Sequence, residues 1–255
     1  IAHCPERVLP GNILEELVSN DRVIGVLKEV DSKFFKDFYS TFCQGELFIT
    51  NSKTAELVKL TENAYRDNNI AFANEISMIS DRYGIDVSNL ITMANRHPRV
   101  NILNPGCGVG GHCIAVDPWF IVSDCPEYTP LIKTSREVNM NKTIWVIEKI
   151  LLKSKYFYKT NGRKPIIGCL GLTFKADVED LRESPALNIV LTLIKESENV
   201  LACEPNIAAH ENIKLVDYEE ILKEADILVG LVAHKEFNLK IPEKIILMDF
   251  CGLNK

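Results

Sequence analysis

Pro165-Ile166-Ile167-Gly168-Cys169-Leu170-Gly171-Leu172 is a short apolar run that follows a polar turn, Asn161-Gly162, and leads into a charged loop. Its length and β-branched start suit a strand covered on both faces better than a helix. Downstream, Ser184-Pro185 pairs a good cap with proline at the first helical position, so a helix is expected to run to about Lys195. Asn199–Cys203 reads as a strand, Tyr218–Lys223 as a helix, and Ala225–Val232 and Lys244–Phe250 as further strands. Strands alternating with helices predict a parallel, doubly wound α/β sheet. Gly168-Cys169-Leu170-Gly171 falls short of the full glycine fingerprint for dinucleotides, so this portion alone does not read as a dinucleotide site.

Upstream the pattern changes. From Asn51 to about Ser80, Leu57, Leu60, Ala64, Ile70, Ala73, Ile76 and Ile79 recur at roughly helical spacing, with Ser52 or Thr54 as the expected cap. Tyr83-Gly84 breaks the pattern, and Asp86-Val87-Ser88 opens a second helix to about Asn95. A Pro/Gly-rich loop spans Pro98–Pro118, and a third helix Leu131–Leu152. Before Asn51, two short strands (Asp21–Val26 and Glu46–Thr50) flank a helix from Ser32 to Phe42. The expected organisation is therefore 1–50, the end of an α/β domain; 51–153, a helical region; and 154–255, a second α/β domain.

Composition narrows the class. The 255 residues are 46% hydrophobic and 25% charged, with a formal net charge of -6. That is ordinary for a globular protein, and the negative balance argues against a general nucleic-acid or anionic-membrane surface. No apolar run of about 18 residues suggests a membrane span. Eight cysteines without a Cys-x-x-Cys predict neither a disulfide framework nor a metal site, and free thiols suit the cytoplasm. The opening Ile1-Ala2-His3-Cys4-Pro5 reads as the middle of a longer protein.

The chemistry concentrates in Gly106-Cys107-Gly108-Val109-Gly110-Gly111-His112-Cys113. Four glycines in six positions let backbone approach a ligand closely, and a cysteine directly after them is well placed as a nucleophile. The same spacing also fits a tight turn with a small buried cysteine. Lys59 and Asn63 lie four apart on one helix face, which by spacing alone reads more readily as a solvated lysine beside an incidental asparagine.

Asn104-Pro105-Gly106-Cys107-Gly108-Val109-Gly110-Gly111-His112-Cys113-Ile114-Ala115-Val116-Asp117-Pro118-Trp119-Phe120 resembles the active-site motif of the UDP-glucose/GDP-mannose dehydrogenase family, and from His112 onward its UDP-N-acetyl-mannosamine branch. Further blocks follow the family's order: Cys4-Pro5-Glu6-Arg7-Val8-Leu9-Pro10-Gly11, Thr54–Asn63, Asn95-Arg96-His97-Pro98-Arg99, Gly171–Asp177 and Asp180–Pro185. Cys107 departs from the pattern, since relatives of this branch usually carry proline there. The resemblance implies the end of a Rossmann-like NAD-binding domain, a central helical region that makes a homodimer, and a Rossmann-like UDP-binding domain. The activity it implies is NAD-dependent oxidation of a UDP-sugar at C6, from alcohol to carboxylate, in polysaccharide biosynthesis. Cys113 takes the role of the covalent nucleophile; Lys59, Asn63, Asp117 and Glu6 are its catalytic companions. Arg7, Val8, Arg96, Arg99, Gly110, His112, Phe174 and Lys175 fall at substrate-binding positions, with Arg96 or Arg99 reaching a neighbouring subunit. Glu6, Gly110, Cys113 and Arg182 fall at cofactor positions; no metal is implied. A non-catalytic UDP-sugar-binding and dimerisation module, or a dehydrogenase of UDP-glucose or UDP-N-acetyl-glucosamine, are the alternatives.

Overall fold

Val23, Ile24 and Val26 are β-branched and buried, and they form the middle of a small sheet. Its strands are Ala2–His3 (β1), Arg22–Val26 (β2) and Leu47–Asn51 (β3), in the order β1-β2-β3. β1 runs antiparallel to β2, whereas β2 and β3 are parallel, with Val23 opposite Phe48 and Ile24 opposite Ile49. The helices here are Ile13–Ser19 (α1) and Ser32–Tyr39 (α2). The computed structural model describes residues 1–8, 12–196, 198–238 and 240–253, so Leu9-Pro10-Gly11 of the first motif block lies outside the described residues. The chain divides into two compact units, Ile1–Tyr65 and Arg66–Lys255.

The first long helix is Ser52–Tyr83 (α3). Its cap is neither Ser52 nor Thr54 but Asn51, whose Oδ1 accepts the Thr54 amide at 2.9 Å. Asn51 closes β3 as well, which hides the cap in a strand pattern. Gly84, at φ +66°, ends the helix. Val87–Ala94 (α4) follows, capped by Asp86 through the Asn89 amide at 3.0 Å.

In the first unit α1 had no counterpart in the sequence expectation, and in the second unit two helices differ from it. Asp117–Asp124 (α5) falls where a loop was expected to run to Pro118, because proline in a first turn starts a helix rather than ending a loop. Pro130–Asn161 (α6) continues nine residues beyond Leu152 until Gly162, at φ +68°, caps it. The stretch after Leu152 looks polar, yet Ser154 is buried, donating to Glu198 at 2.8 Å, and Phe157 packs on the core. Tertiary contacts stabilise that turn, not its composition.

The remaining elements are Ile166–Leu170 (β4), Pro185–Lys195 (α7), Asn199–Cys203 (β5), Tyr218–Glu224 (α8), Ile227–Gly230 (β6) and Ile246–Asp249 (β7). All strand pairs are parallel, in the order β5-β4-β6-β7. Ile167, Ile189, Val190, Leu193, Ile227 and Val229 are buried in one cluster, and Val146 and Ile150 seat α6 on it. The chain leaves β4 towards β5 and leaves β6 towards β7. The carboxyl ends of β4 and β6 therefore flank a topological switch point, where doubly wound sheets bind ligands. No described helix is long and apolar enough to cross a membrane.

Candidate active site

The glycine-rich loop is anchored at its base by buried polar groups on α3 and α6. The Gly106 amide donates to Asn74 Oδ1 at 2.9 Å, and Asn74 Nδ2 donates to Asn139 Oδ1 at 2.9 Å. Asn139 Nδ2 in turn donates to Asp67 Oδ1 at 2.8 Å, which also accepts Arg136 Nη1 at 2.6 Å. Burial pushes the Asp67 carboxyl up against the opposing pull of Arg136 and Asn139. Thr143 Oγ1 donates to the Cys107 carbonyl at 2.8 Å.

Cys107 itself is buried beneath the loop, with Sγ 3.5 Å from the Leu231 carbonyl oxygen, and burial pushes its thiol up to about 12. A buried thiol of that kind is an inert packing group.

The tip of the loop is pressed against the segment after β4. The Gly111 amide, at φ +82°, donates to the Arg182 carbonyl at 3.0 Å, and a Cβ there would meet the Phe174 ring at 2.9 Å. At Gly110 a Cβ would come within 2.4 Å of the Glu183 carbonyl oxygen and 2.8 Å of Phe174. Only glycine lets these backbones touch. Cys113 follows as a half-buried free thiol, one helical turn before Asp117: the Asp117 amide donates to the Cys113 carbonyl at 2.8 Å.

Arg182 is exposed and forked onto Asp180, with Nη2 to Oδ2 at 2.6 Å and Nε to Oδ1 at 3.0 Å. The hydrogen bond to Arg182 is the main reason the Asp180 carboxyl falls to about 2, with His112 adding a smaller pull. The Asp180 hydrogen bond and charge raise Arg182 in turn, and Cys113 adds to that, so the sulfur sits in the field of the guanidinium. Cys113, Asp117, Gly110, His112, Phe174 and Arg182 thus share one neighbourhood. Lys175 is exposed on the same segment, its carbonyl accepting Thr173 Oγ1 at 2.9 Å. Arg96 and Arg99 are exposed on a turn closed by Asn95, which accepts from the Ile102 amide at 2.7 Å and donates to the Ile102 carbonyl at 3.0 Å.

The first unit carries the other candidates. Glu6 Oε1 accepts the Arg7 and Val8 amides at 2.7 and 3.2 Å, and its Oε2 lies 3.7 Å from Arg22. Glu6 therefore shapes its own turn. Arg7 forks onto Glu62 at 2.7 and 3.3 Å, which ties residues 6–8 to the turn of α3 that bears Lys59 and buried Asn63.

Three models of one family match the chain in order: the NAD binding domain over residues 1–43, the central domain over 53–141 and the UDP binding domain over 168–249 of the UDP-glucose/GDP-mannose dehydrogenase family. The chain belongs to this family. A UDP-N-acetyl-D-mannosamine dehydrogenase from Campylobacter jejuni is 52% identical over 98% of the chain and 62% of its own length. An NDP-N-acetyl-D-galactosaminuronic acid dehydrogenase from Ralstonia nicotianae is also 52% identical, over 93% of the chain and 56% of its own length. Among solved structures, a UDP-D-ManNAc dehydrogenase from Pyrococcus horikoshii superposes with a TM-score of 0.88 at 37% identity, covering 100% of this chain and 61% of that one. The chain thus spans about three fifths of the length of the relatives it matches.

Sequence reasoning about this family member singled out neither Glu204 nor His234. Both side chains are fully buried at the carboxyl edge of the sheet. Glu204 Oε2 accepts the Leu172 amide at 2.7 Å, the Thr173 amide at 3.1 Å and His234 Nε2 at 3.0 Å. His234 Nδ1 accepts the Asp177 amide at 3.0 Å, so Nε2 bears the ring proton. Burial pushes the Glu204 carboxyl up, but the hydrogen bonds from His234, Leu172 and Asn206 outweigh it and hold it at about 2. The pair pins both ends of the loop carrying Phe174 and Lys175. A carboxylate directly after a parallel strand is the signal that pointed there.

Asp177, His234 and Glu236 bring ligand atoms within 4.8 Å of one another. The ring nitrogen nearest Asp177 is already committed to that amide, so the group does not read as a metal site.

Proposed function

We propose that the chain is part of an NAD-dependent dehydrogenase that oxidises C6 of UDP-N-acetyl-D-mannosamine from alcohol to carboxylate. The observation that carries this reading is Cys113: a half-buried thiol at the end of a glycine loop, one turn from Asp117 and in the field of Arg182. NAD, when bound, supplies the hydride acceptor for both oxidations. The narrow cradle at Gly110 and the exposed Arg182 guanidinium fit a close-lying pyrophosphate.

The chain's own residues supply the covalent step. The Cys113 thiolate adds to the C6 aldehyde and forms a C–S bond, while the carbonyl oxygen takes up a proton to give a thiohemiacetal. In this proposal Lys59 and Asn63 hold that oxygen. The second oxidation leaves a thioester at C6. Water attacks it with Asp117 or Glu6 accepting the proton, and the thiol departs with the acid released. Phe174 and Lys175, pinned by Glu204 and His234, hold the nucleotide-sugar. Arg96 or Arg99 serves the site of a neighbouring subunit in a homodimer built on the central helices, where Phe72, Ile79, Met140 and Ile144 are exposed.

The test is turnover with UDP-N-acetyl-D-mannosamine and NAD, followed by absorbance of the reduced cofactor, alongside a panel of UDP-sugars. Cys113→Ala is expected to abolish acid formation and leave UDP binding within about twofold. Unchanged turnover in that variant sinks the covalent scheme. The equal identity to the Ralstonia protein favours a second reading, in which the substrate is the N-acetyl-galactosamine nucleotide-sugar. A higher kcat/KM for UDP-N-acetyl-galactosamine would decide for it.

A further inference from the structure

Glu62 lies on α3, one turn after Lys59 and directly before the buried Asn63. Its carboxylate forks onto Arg7: Nη2 lies 2.7 Å from Oε1, and Nε donates to Oε2 at 3.3 Å. Arg7 Nη1 donates to the Asp21 carbonyl, just before β2, at 3.2 Å. All three nitrogens of the guanidinium are therefore engaged, and every group involved belongs to the first unit. Among the described residues Glu62 is the one carboxylate paired with Arg7. The adjacent Glu6 is held in another way, by the Arg7 and Val8 amides and by Arg22.

We propose that Glu62 is a positioning residue of the substrate site, which fixes the Arg7 guanidinium over the turn of α3 that carries Lys59 and Asn63, so that Arg7 meets the sugar in one orientation. The inference rests on the reading of Arg7 as a substrate-side residue of the dehydrogenase. The fork is about one-third exposed on both sides, 34% for Arg7 and 36% for Glu62, so its contribution to stability is small. Its contribution is geometric. A guanidinium is planar and offers five N–H donors in a fixed arrangement; two parallel bonds to one carboxylate lock that plane, as a single contact to a lysine would not. An arginine left free would have to lose its rotamer freedom when the ligand binds, and that ordering would weaken binding. Glu62 imposes the order beforehand. Pairing also neutralises the Glu62 carboxylate, which would otherwise repel an anionic nucleotide-sugar.

The experiment is calorimetric titration of the 255-residue chain with UDP-N-acetyl-D-mannosamine and, separately, with UDP. Glu62→Gln keeps the side-chain shape and removes the charge that holds the fork. It is expected to weaken binding of the UDP-sugar about fivefold or more and binding of UDP less than about twofold. A merely structural role would move both affinities together. Because Glu62 acts through Arg7, Glu62→Gln placed in an Arg7→Ala background is expected to change UDP-sugar affinity less than about twofold. Equal UDP-sugar affinity in Glu62→Gln and the wild type, an equal loss for UDP, or an undiminished effect in the Arg7→Ala background would each overturn the proposal and leave the dehydrogenase reading standing. Absence of UDP-sugar binding by the wild type would remove that reading and the role of Glu62 with it.

Discussion

Glu204 and His234 set the local geometry of the loop between β4 and α7. The folded-state carboxyl sits at about 2 against an ordinary 4.5, and the side chain is fully buried, so the shift corresponds to roughly 3 kcal/mol of stability. A depressed carboxyl contributes that stability above the unfolded value and loses it as pH falls through the folded one. Glu204→Gln is therefore expected to lose roughly 3 kcal/mol at pH 7, a gap that closes between pH 4.5 and about 2. Urea unfolding across that pH series is the measurement, and a gap that does not change with pH would contradict the ionised network. The same substitution should raise KM for the nucleotide-sugar more than it lowers kcat, because Glu204 positions the loop without touching the reacting carbon.

Between elements, the chain from Arg136 through Asp67, Asn139 and Asn74 to the Gly106 amide joins α3, α6 and the glycine loop. Every residue whose side chain takes part in it is at most 4% exposed. Removing the guanidinium leaves a buried carboxylate without its counter-charge, so Arg136→Met is expected to cost about 3–5 kcal/mol. Denaturation monitored by Trp145 fluorescence checks this. Double replacement of Arg136 and Asp67 by apolar residues should recover much of the loss, since the pair's desolvation penalty goes with it. Failure to recover would mean that the network, and not the charge pair, holds the two helices.

For the molecule as a whole, the proposed homodimer predicts that Phe72→Glu with Ile79→Glu on α3 yields a monomer with unchanged helix content, read by sedimentation and circular dichroism. An unchanged oligomeric state would remove the central helices from the interface.

Much of the architecture was legible beforehand. The parallel sheet of the second unit followed from apolar runs alternating with capped helices, and Ser184-Pro185 marked α7 to the residue, its hydroxyl accepting the Leu187 amide at 3.2 Å. The last turns of α6 and the start of α5 were not legible, because one depends on burial of Ser154 and Phe157 and the other on a proline that fits both a loop and a first turn. Within the candidate site, the glycine loop and Cys113 stood out by residue type, and Arg182 only through the resemblance. The sequence by itself determined the fold class and the family and singled out the candidate nucleophile, since these rest on local pattern and motif order. Only the tertiary structure decided that Cys107 is buried and inert, that Glu204 and His234 pin the loop between β4 and α7, and that Lys142 is buried against Ser77 and Trp145. Burial and pairing between residues distant in sequence set those properties, and no local pattern encodes them.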